Sequence, residues 1–389
     1  MLSLFNTLTS RVEKFEPLGK SKPVGLYACG PTVYDRAHVG HGRVTVVVDT
    51  LVRLLRVLYG DVVYVRNITD VDDKINARAQ QEKVSIGDLT GRVILLHEND
   101  MLYLRNLGPT HEPRVTEHIA CIIETIDRIV RNGHGYVKNG HVFFSVSSYG
   151  DYGILSHVDG GKLLNAVRIE DNPDKRNPLD FVLWKPSSAD DDQSIRFSSP
   201  WGVGRPGWHI ECSAMSQQYL GSDFDIHCGG MDLKFPHHEN EIAQSRCAFP
   251  GSNFANFWFH VGFLMVDGKK MSKSLGNFVT IDELRMNNLS GCVVRLAVAR
   301  NHYRKPLNFD LNLIRESENL LRGLHRNLED TGEGHPVPEE IIDDLCDDLN
   351  IPKTIATLGK FKKNREFAKL RGALEFLGLF DKNLCPQIK

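Results

Sequence analysis

The sequence predicts an α/β fold that is built on a parallel sheet. Two apolar runs, 24–28 and 62–65, flank a long helical pattern at 43–58, and a glycine-bearing loop joins the first run to the helix. A strand, a helix and a second strand in this order form a βαβ unit, whose strands lie parallel with a right-handed crossover. We therefore expect a parallel sheet to organise the N-terminal part of the chain.

The remaining elements divide the chain into regions of different character. A helical pattern with one internal break covers 73–107. The next region, 108–206, is rich in turns and contains short strands such as 142–146, and we interpret it as an insertion between two halves of the sheet. Sheet-and-loop patterning resumes at 208–278. After Asp310, leucines recur at three- and four-residue spacings, which predicts a helical C-terminal region.

Composition limits the class of protein. The chain has 389 residues, which is enough for two or three domains. Its 47 basic and 49 acidic residues give a net charge of −2, so any contact with nucleic acid has to come from local patches. No apolar stretch approaches the ~20 residues that span a bilayer, and we expect a soluble, cytoplasmic protein with no membrane partner.

The cysteines are scattered without close pairing. This distribution favours reduced thiols, some of them bound to metal, over a disulfide framework. The eight residues are Cys29, Cys121, Cys212, Cys228, Cys247, Cys292, Cys346 and Cys385.

Two distant polar motifs indicate a site for a polyphosphate. The motif at 38–41 reads HVGH and lies at the start of the long helix, where free N–H groups and the helix dipole favour negative charge. The motif at 270–274 reads KMSKS and offers two ammonium groups that can neutralise charge on a departing pyrophosphate. Either motif alone would be explained more simply by a helix cap or a solvated loop. Together they predict attack on the α-phosphate of ATP.

In this order the two motifs resemble the HIGH and KMSKS signatures of the class I aminoacyl-tRNA synthetases. Five further runs resemble the cysteinyl-tRNA synthetases within that class. They are YACGPTVYD at 27–35, YVRNITDVDDK at 64–74, NPLDFVLWK at 177–185, GRPGWHIECS at 204–213 and FPHHENEIAQ at 235–244. The resemblance is dense over roughly residues 1–310 and weaker afterwards.

The resemblance implies a Rossmann-like, nucleotide-binding α/β domain with an inserted connective domain and a C-terminal α-helical bundle. The expected regions are 1–107 for the first half of the catalytic domain, 108–206 for the inserted domain, 207–278 for the second half with the KMSKS loop, 279–310 for a stem-contact region and 311–389 for a shortened bundle that binds tRNA.

The resemblance also implies an enzyme that activates L-cysteine with ATP and Mg²⁺ and then transfers the cysteine to the 3′ end of tRNA-Cys. A monomer with one Zn²⁺ per chain is expected. Two alternatives differ in the acceptor or the activity. One is a related ligase that passes activated cysteine to a small-molecule amine, as in the mycothiol pathway, and the other is a non-catalytic paralog. The complete HVGH and KMSKS motifs argue against the paralog.

Two groups of residues are implied for the nucleotide. The group that binds ATP consists of His38, Gly40, His41, Gly230, Asp232 and Lys273. The group that catalyses adenylate formation consists of His38, His41, Lys270 and Lys273. In the second group the histidines stabilise the pentacoordinate α-phosphorus, and the lysines hold the departing pyrophosphate.

The implied pocket for the amino acid contains Cys29, Thr69 and Trp208. Trp208 would cover the small cysteine side chain and exclude water from the adenylate. An equally weighted alternative makes Trp208 a core aromatic residue. The nearby carboxylates at 70, 72 and 73 resemble an acid/base site, but we interpret them as favourable charges at a helix N-terminus, because the substrate carboxylate can attack ATP directly.

A metal site is implied at Cys29, Cys212, His237 and Glu241, where the resembled family holds zinc. The spacing alone supports only half of this set, since His237 and Glu241 fall on one face of a helix. Two thiolates, an imidazole and a carboxylate suit zinc, which can take a further ligand from a substrate sulfur. A soft metal would separate cysteine from serine more strongly than the ~1–3 kcal/mol available from an apolar pocket.

Neighbouring residues leave the metal site open to other interpretations. Cys228 stands where the family pattern has glycine, and it is either an inert loop residue, which we favour, or a competitor for the metal. His227 and His238 are interpreted as groups that hydrogen bond to the ligands and not as ligands themselves.

The length and the basic residues of the C-terminal region indicate how tRNA is bound. Family members continue into a small region that reads the anticodon, whereas this chain stops at Lys389, and the basic stretch 360–371 is either a phosphate contact or, more simply, a solvated helix face. Phosphate contacts position a tRNA without reading its sequence. Phosphate contacts of this kind would make the binding of tRNA depend on charge.

We therefore expect a raised tRNA KM, a steep salt dependence of charging and little sensitivity of charging to the anticodon. Charging of wild-type and anticodon-substituted tRNA-Cys across a salt series tests this expectation, and a large loss of kcat/KM from the anticodon change alone would contradict it.

Overall fold

The computed structural model describes residues 1–19, 22–158, 172–188, 191–271, 276–328 and 331–384. Its strands, in chain order, are β1 (Ser3–Asn6), β2 (Arg11–Lys14), β3 (Val24–Ala28), β4 (Val62–Arg66), β5 (Gly135–Lys138), β6 (His141–Phe144), β7 (Phe181–Pro186), β8 (Gly204–Pro206), β9 (Asp223–Gly230), β10 (Phe254–Val261), β11 (Leu264–Val266), β12 (Lys269–Lys270) and β13 (Leu307–Phe309).

The helices are named here by their bounds. In chain order they are Val39–Tyr59, Asp73–Glu82, Ile86–Tyr103, Ile119–Arg131, Trp208–Leu220, Glu239–Ala248, Ile281–Met286, Gly291–Ala299, Leu311–His325, Glu339–Cys346, Ile351–Lys363 and Phe367–Phe376. None of the helices in the described ranges is both long enough and apolar enough to cross a bilayer.

A four-stranded parallel sheet forms the centre of the fold, with the strand order β10-β9-β3-β4. The pairing of β3 with β4 confirms the βαβ unit that the sequence predicts. The chain leaves β3 toward β4 on one side, while β9 and β10 extend the sheet on the other side. The strand order therefore reverses between β3 and β9, and the carboxyl ends of these two strands border a crevice of the kind in which α/β proteins bind ligands.

The helix Val39–Tyr59 packs its apolar face against this sheet. Val47, Leu51 and Leu54 are among its buried residues, at spacings that place them on one side of the helix. The side chain of His38 caps the N-terminus by accepting a hydrogen bond from the backbone N–H of His41, at 3.2 Å. The helix begins at Val39, four residues before the predicted pattern, so the HVGH motif forms its first turn.

Between β4 and β9 the chain forms a separate antiparallel sheet with the order β5-β6-β7-β8, which lies in the region 108–206 that we interpret as an insertion. The same region also contains the helix Ile119–Arg131, which buries Ile122, Ile126 and Ile129 and was not among the predicted elements. The end of β8 leads through Gly207 directly into the helix Trp208–Leu220. The insertion is thereby connected without a long linker to the residues that border the crevice.

The prediction of sheet and loop for the whole of 208–278 is wrong in two places. The segments Trp208–Leu220 and Glu239–Ala248 are helices. Every residue from 210 to 216 is buried, and so is every residue from 239 to 245, because sheet, insertion and neighbouring helices surround both segments. A helix that is buried on all sides lacks the apolar periodicity by which it could be recognised.

The helical C-terminal region follows the prediction, with four helices between Leu311 and Phe376. It shares one continuous apolar core with the helix Val39–Tyr59. A buried ion pair between Arg295 and Asp49 reinforces this packing, and the Arg295 guanidinium also donates to the carbonyl oxygen of Leu377 at 2.7 Å. The exact limits of the expected regions, at 107, 206, 278 and 310, stay predictions.

Candidate functional site

Four side chains that are far apart in the sequence meet at the carboxyl edge of the sheet. Cys29 follows β3, Cys212 lies on the helix Trp208–Leu220, and His237 and Glu241 stand at the start of the helical segment beyond β9. The Sγ atoms of Cys29 and Cys212 lie 3.6 Å apart, and His237 Nε2 lies 3.1 Å from Glu241 Oε1. The four ligand atoms all fall within 4.8 Å of one another, so the structure brings the predicted metal set together.

A second set of ligand atoms overlaps the first. It consists of Cys29, His227, His238 and Glu241, again within 4.8 Å of one another. His227 Nε2 lies 2.8 Å from Glu241 Oε2, and His238 Nε2 lies 3.4 Å from the sulfur of Cys29. The two imidazoles that the sequence analysis assigned to supporting roles therefore lie close enough to be alternative ligands.

Further imidazoles support the cluster from outside. His209 and His237 face each other through their Nδ1 atoms at 2.7 Å, so one of the two donates to the other and the Nε2 of His237 stays directed at Glu241. On the other side, His238 Nδ1 lies 2.8 Å from His260 Nε2, and His260 Nδ1 lies 2.8 Å from the hydroxyl of Thr7. Such partners fix the orientation of a metal-binding ring.

Sequence reasoning missed His209 and His260. His209 stands three residues before Cys212, and this helical spacing was an available signal once the segment was known to be a helix. His260 lies in the interior of β10, where nothing in its neighbours distinguishes it.

The protonation equilibria of the cluster favour the binding of a cation. Burial works to raise the pKa of Glu241, but His227 and His237 outweigh it and hold that pKa well below its usual range. The hydrogen bond from the Cys29 thiol lowers the pKa of Cys212 to about 6. Burial works to lower the pKa of His237, but Glu241 and Cys212 raise it to about 10. A proton on His237 thus sits among anionic groups, in a place where a metal ion could replace it.

The HVGH motif forms a compact pair of imidazoles at the N-terminus of the helix Val39–Tyr59. The rings of His38 and His41 stack with centroids 3.7 Å apart. Burial lowers the pKa of His41 to about 4, so this ring is neutral near pH 7. Its Nδ1 is buried and has no hydrogen-bond partner within the described ranges. A neutral, unpartnered ring nitrogen is available to an incoming ligand.

Glycine at position 40 allows the two signature motifs to approach each other. A Cβ atom there would lie 2.9 Å from the His38 ring and 3.4 Å from the terminal methyl carbon of Met271. The beginning of the KMSKS motif therefore stands against the HVGH turn. Lys270 is exposed at the end of β12, while Lys273 falls outside the described residues.

The other predicted nucleotide residues lie at the end of β9. A Cβ on Gly230 would come within 2.4 Å of Asp232 Oδ1 and 3.7 Å of Val44 on the helix Val39–Tyr59. Asp232 is close enough to His41 to influence its pKa. The structure thus gathers His41, Gly230 and Asp232 between β9 and the helix N-terminus.

The predicted amino-acid pocket borders the metal cluster. Thr69 is buried, and its hydroxyl donates to Glu211 Oε2 at 2.9 Å. Burial, followed by the nearby Cys212, raises the pKa of Glu211 well above its usual range. Trp208 is 42% exposed, and its ring centroid lies 4.4 Å from that of His237. The alternative that makes Trp208 a core aromatic is therefore wrong.

Cys228 belongs to neither metal set among the described residues. It lies in β9 opposite Ala28, fully buried in the core on the face of the sheet that packs against the helix Val39–Tyr59. Burial raises the pKa of its thiol. Cys228 is thus a core residue of a strand, and the expectation that it lies in a loop was wrong.

The three neighbouring carboxylates are all engaged in structural contacts. Asp72 caps the helix Asp73–Glu82, and Asp70 accepts hydrogen bonds from the backbone and side chain of Thr116. Asp73 pairs with Lys185 at 2.8 Å and with Arg205 at 2.6 Å, across to the insertion. These contacts support the interpretation that the carboxylates are not an acid/base site, although only Asp72 caps the helix.

A cavity of about 240 Å³ lies between the insertion and the metal cluster. Its lining includes the rings of Trp208 and His209 and the side chains of Lys175, Lys185 and Arg205. Carboxylates line the same cavity, and Asp73 pairs with both Lys185 and Arg205, so the lining carries charges of both signs.

Two of the six cationic side chains in the basic stretch 360–371 pair with carboxylates in the part of the chain that the structure describes, while Lys360, Lys363 and Arg365 are exposed. Lys369 pairs with Glu340 and Glu366, and Arg371 is buried beside Glu375. A phosphate contact and a solvated helix face therefore both stay open for this stretch.

Comparison with known proteins identifies similar sequences and folds. The family described as "tRNA synthetases class I (C) catalytic domain" matches residues 14–319. A protein of Rhodospirillum rubrum named "Cysteine--tRNA ligase" is 49% identical over 394 aligned positions, which cover 97% of this chain and 85% of the relative. A protein of Ruegeria pomeroyi with the same name is 50% identical over 383 positions, covering 97% of this chain and 81% of the relative.

A solved structure with a similar fold is more distant in sequence. Mycobacterium tuberculosis methionyl-tRNA synthetase in complex with methionyl-adenylate superposes with a TM-score of 0.66 at 16% identity, covering 92% of this chain and 89% of that one. At this level of identity the similarity concerns the fold alone.

Proposed function

The chain belongs to the cysteine family of class I tRNA synthetases, and on that basis we propose that it activates L-cysteine with ATP and transfers the cysteine to the 3′ end of tRNA-Cys. The strongest support from the structure is that two sites meet at one edge of the sheet. The cluster of two thiols, an imidazole and a carboxylate borders the pocket of Thr69 and Trp208, and the HVGH turn lies at the same edge.

The proposed activation step uses the substrate's own carboxylate as the nucleophile. A bond forms between a carboxylate oxygen of cysteine and the α-phosphorus of ATP, and the bond from that phosphorus to the bridging oxygen breaks, so that pyrophosphate leaves. His38 and His41 would contact the phosphates from the helix N-terminus, where the backbone N–H groups add positive potential. Since His41 is neutral, its contribution is a hydrogen bond and not a full charge.

The other nucleotide groups have complementary roles in this proposal. Gly230 lets the backbone approach the nucleotide, and the Asp232 carboxylate binds the ribose hydroxyls. Lys270 and Lys273 neutralise charge that develops on the leaving pyrophosphate. Mg²⁺, which enters together with ATP, contributes to the same neutralisation. The placement of Met271 against Gly40 supports this role of the lysines, because it puts the start of the KMSKS motif beside the histidines.

The donor set of the cluster fits zinc. Thiolate, imidazole and carboxylate are the ligands that zinc takes, and the donor atoms already lie within reach of one ion. We assign one zinc to Cys29, Cys212, His237 and Glu241 because this set has two thiolates, whereas the overlapping set has one. When bound, the zinc would hold the sulfur of the substrate cysteine and so distinguish it from serine. Trp208 and Thr69 would enclose the rest of the amino acid.

The acceptor is proposed to be tRNA-Cys. The curated relatives named as cysteine–tRNA ligases extend over nearly all of this chain, and this coverage disfavours the alternative of a small-molecule amine. A monomer and a cytoplasmic location remain predictions.

A pyrophosphate-exchange assay tests the activation step. With ATP, labelled pyrophosphate and each amino acid in turn, cysteine is expected to support exchange at least about a hundredfold better than serine or alanine. Exchange that is equally fast with serine would contradict a thiol-selective site.

Replacement of Cys228 by alanine is expected to leave zinc content unchanged and cysteine-dependent exchange within about twofold of wild type. The physical reason is that its thiol lies in the core on the other face of the sheet, and truncating one small core side chain costs only about 1 kcal/mol of stability. Metal analysis and exchange kinetics measure both quantities. Loss of zinc from this variant would show that Cys228 binds the metal.

A further inference from the structure

We propose that Arg43 is a positioning residue, which sets the place of Lys270 relative to the HVGH histidines. This inference rests on the proposed activation of cysteine and extends it to a residue outside both signature motifs. Arg43 lies two residues after His41 in the same helix, and it is fully buried. A buried arginine has to be accounted for by its partners, because an unpaired buried charge is costly.

The partners of Arg43 are backbone carbonyl oxygens from two chain segments. Its guanidinium donates to Lys305 at 2.7 Å, Val298 at 2.9 Å, Gly262 at 3.1 Å, Tyr303 at 3.3 Å and His302 at 3.5 Å. Val298 lies in the last turn of the helix Gly291–Ala299, where carbonyl groups lack partners within the helix and favour a cation. No carboxylate is among these partners, so the hydrogen bonds of Arg43 fix the position of the backbone in these two segments.

The two segments lead into β11 and β13, and β11 pairs in turn with β12, which contains Lys270. Gly262 immediately precedes Phe263 and β11, and Lys305 immediately precedes Pro306 and β13. Strand β11 pairs with β13 through Leu264 and Leu307, and it pairs with β12 through Met265 and Lys270. Pairing with β11 therefore positions Lys270, and pairing with β13 positions β11. Arg43 binds the backbone just before both β11 and β13.

The contact is tight enough to set a position. Gly262 donates its N–H to the carbonyl of Tyr303 at 2.7 Å, and an added Cβ on Gly262 would lie 2.8 Å from the carbonyl oxygens of Arg304 and Lys305. A planar guanidinium with five N–H donors can reach several carbonyls at fixed angles, whereas a lysine ammonium cannot. The helix that presents the histidines is thus joined rigidly to the base of the hairpin that presents Lys270.

A second connection lies on the far side of the KMSKS motif. The N–H of Val39 donates to the carbonyl of Val279 at 3.0 Å, and the N–H of Ile281 donates to the carbonyl of Ala37 at 3.0 Å. Arg36 also pairs with Asp282 at 2.6 Å. Because these contacts hold the chain after the motif independently, Arg43 is needed specifically for the side that carries Lys270.

The test is a double-mutant cycle in the full chain, read by pyrophosphate exchange. Arg43→Lys is expected to lower kcat for exchange by about 10- to 100-fold, while cysteine KM and zinc content stay within twofold of wild type. The same change made in a Lys270→Ala background is expected to cost less than threefold, because Lys270 no longer has a role that its position could affect. Arg295→Lys is the matched control, since Arg295 is likewise fully buried and donates to backbone carbonyls, but it lies against the C-terminal helices.

The control is expected to lower thermal stability and to leave kcat within threefold of wild type. An equal loss of kcat from Arg43→Lys in both backgrounds, or no loss in either, would overturn the inference. If Arg43→Lys does not fold, Gly262→Ala decides, because it displaces the hairpin base without altering the guanidinium and should show the same dependence on Lys270. A wild-type chain that lacks cysteine-dependent exchange would instead refute the proposed function.

Discussion

Replacing Cys212 with alanine is expected to remove the bound zinc and to lower cysteine-dependent pyrophosphate exchange below detection. Cys212 is 2% exposed and supplies one of only two thiols in the proposed set. Its loss leaves three ligands, of which only Cys29 is a soft donor, and zinc binds such a set more weakly than one with two thiolates. Metal content by mass spectrometry and exchange kinetics measure the two effects separately.

The same experiment distinguishes the two overlapping ligand sets. His237→Ala should behave like Cys212→Ala, whereas Cys228→Ala, another fully buried thiol at this edge of the sheet, should retain its metal. A zinc content that survives both Cys212→Ala and His237→Ala but is lost with His227→Ala would place the metal in the other set and contradict our assignment.

Replacing Lys273 with alanine is expected to slow adenylate formation by about 100- to 1,000-fold, which corresponds to roughly 2.7–4 kcal/mol for one group that stabilises developing charge. The cysteine KM should change little, since the ammonium acts on charge that appears only in the transition state. Lys273 lies outside the described residues, so this prediction depends on the motif and on the placement of its first residues beside Gly40.

Lys269→Ala is the matched control for that change. Lys269 is exposed in the same two-residue strand as Lys270, and its removal takes away the same charge from the position just before the KMSKS motif. It should alter exchange by less than about threefold. Similar losses in the two variants would mean that the hairpin contributes a general positive potential and that Lys273 has no special role.

The parts of the fold that sequence reasoning predicted correctly are those in which chemistry repeats locally. Strands β3 and β4 are apolar runs on either side of an amphipathic helix, and this order determines a parallel pair. His237 and Glu241 could be paired from their spacing of four residues. The meeting of Cys29 with Cys212 could not be predicted in this way, because it depends on how the helix after the insertion returns to the sheet edge.

The failures share a physical cause, which is burial on every side. The helix Trp208–Leu220 carries Glu211, Cys212 and Ser213 on its buried surface, so its polar residues look like those of a loop. Arg43 could not be recognised as buried from the sequence either, because an arginine in an amphipathic helix is normally exposed. Its complete burial is explained by its five carbonyl partners. Tertiary contacts of this kind leave no periodic signal.

A comparison of two acceptors tests most directly whether this chain charges tRNA-Cys with cysteine. The protein is given cysteine and ATP together with either a tRNA-Cys transcript or an amino-sugar acceptor, and AMP release and the acylated product are measured. With the transcript, cysteinyl-tRNA and AMP are expected in equal amounts, and with the amino sugar no acceptor-dependent AMP is expected. AMP release that depends on the amino sugar, with adenylate formed but no tRNA charged, would contradict the proposed function.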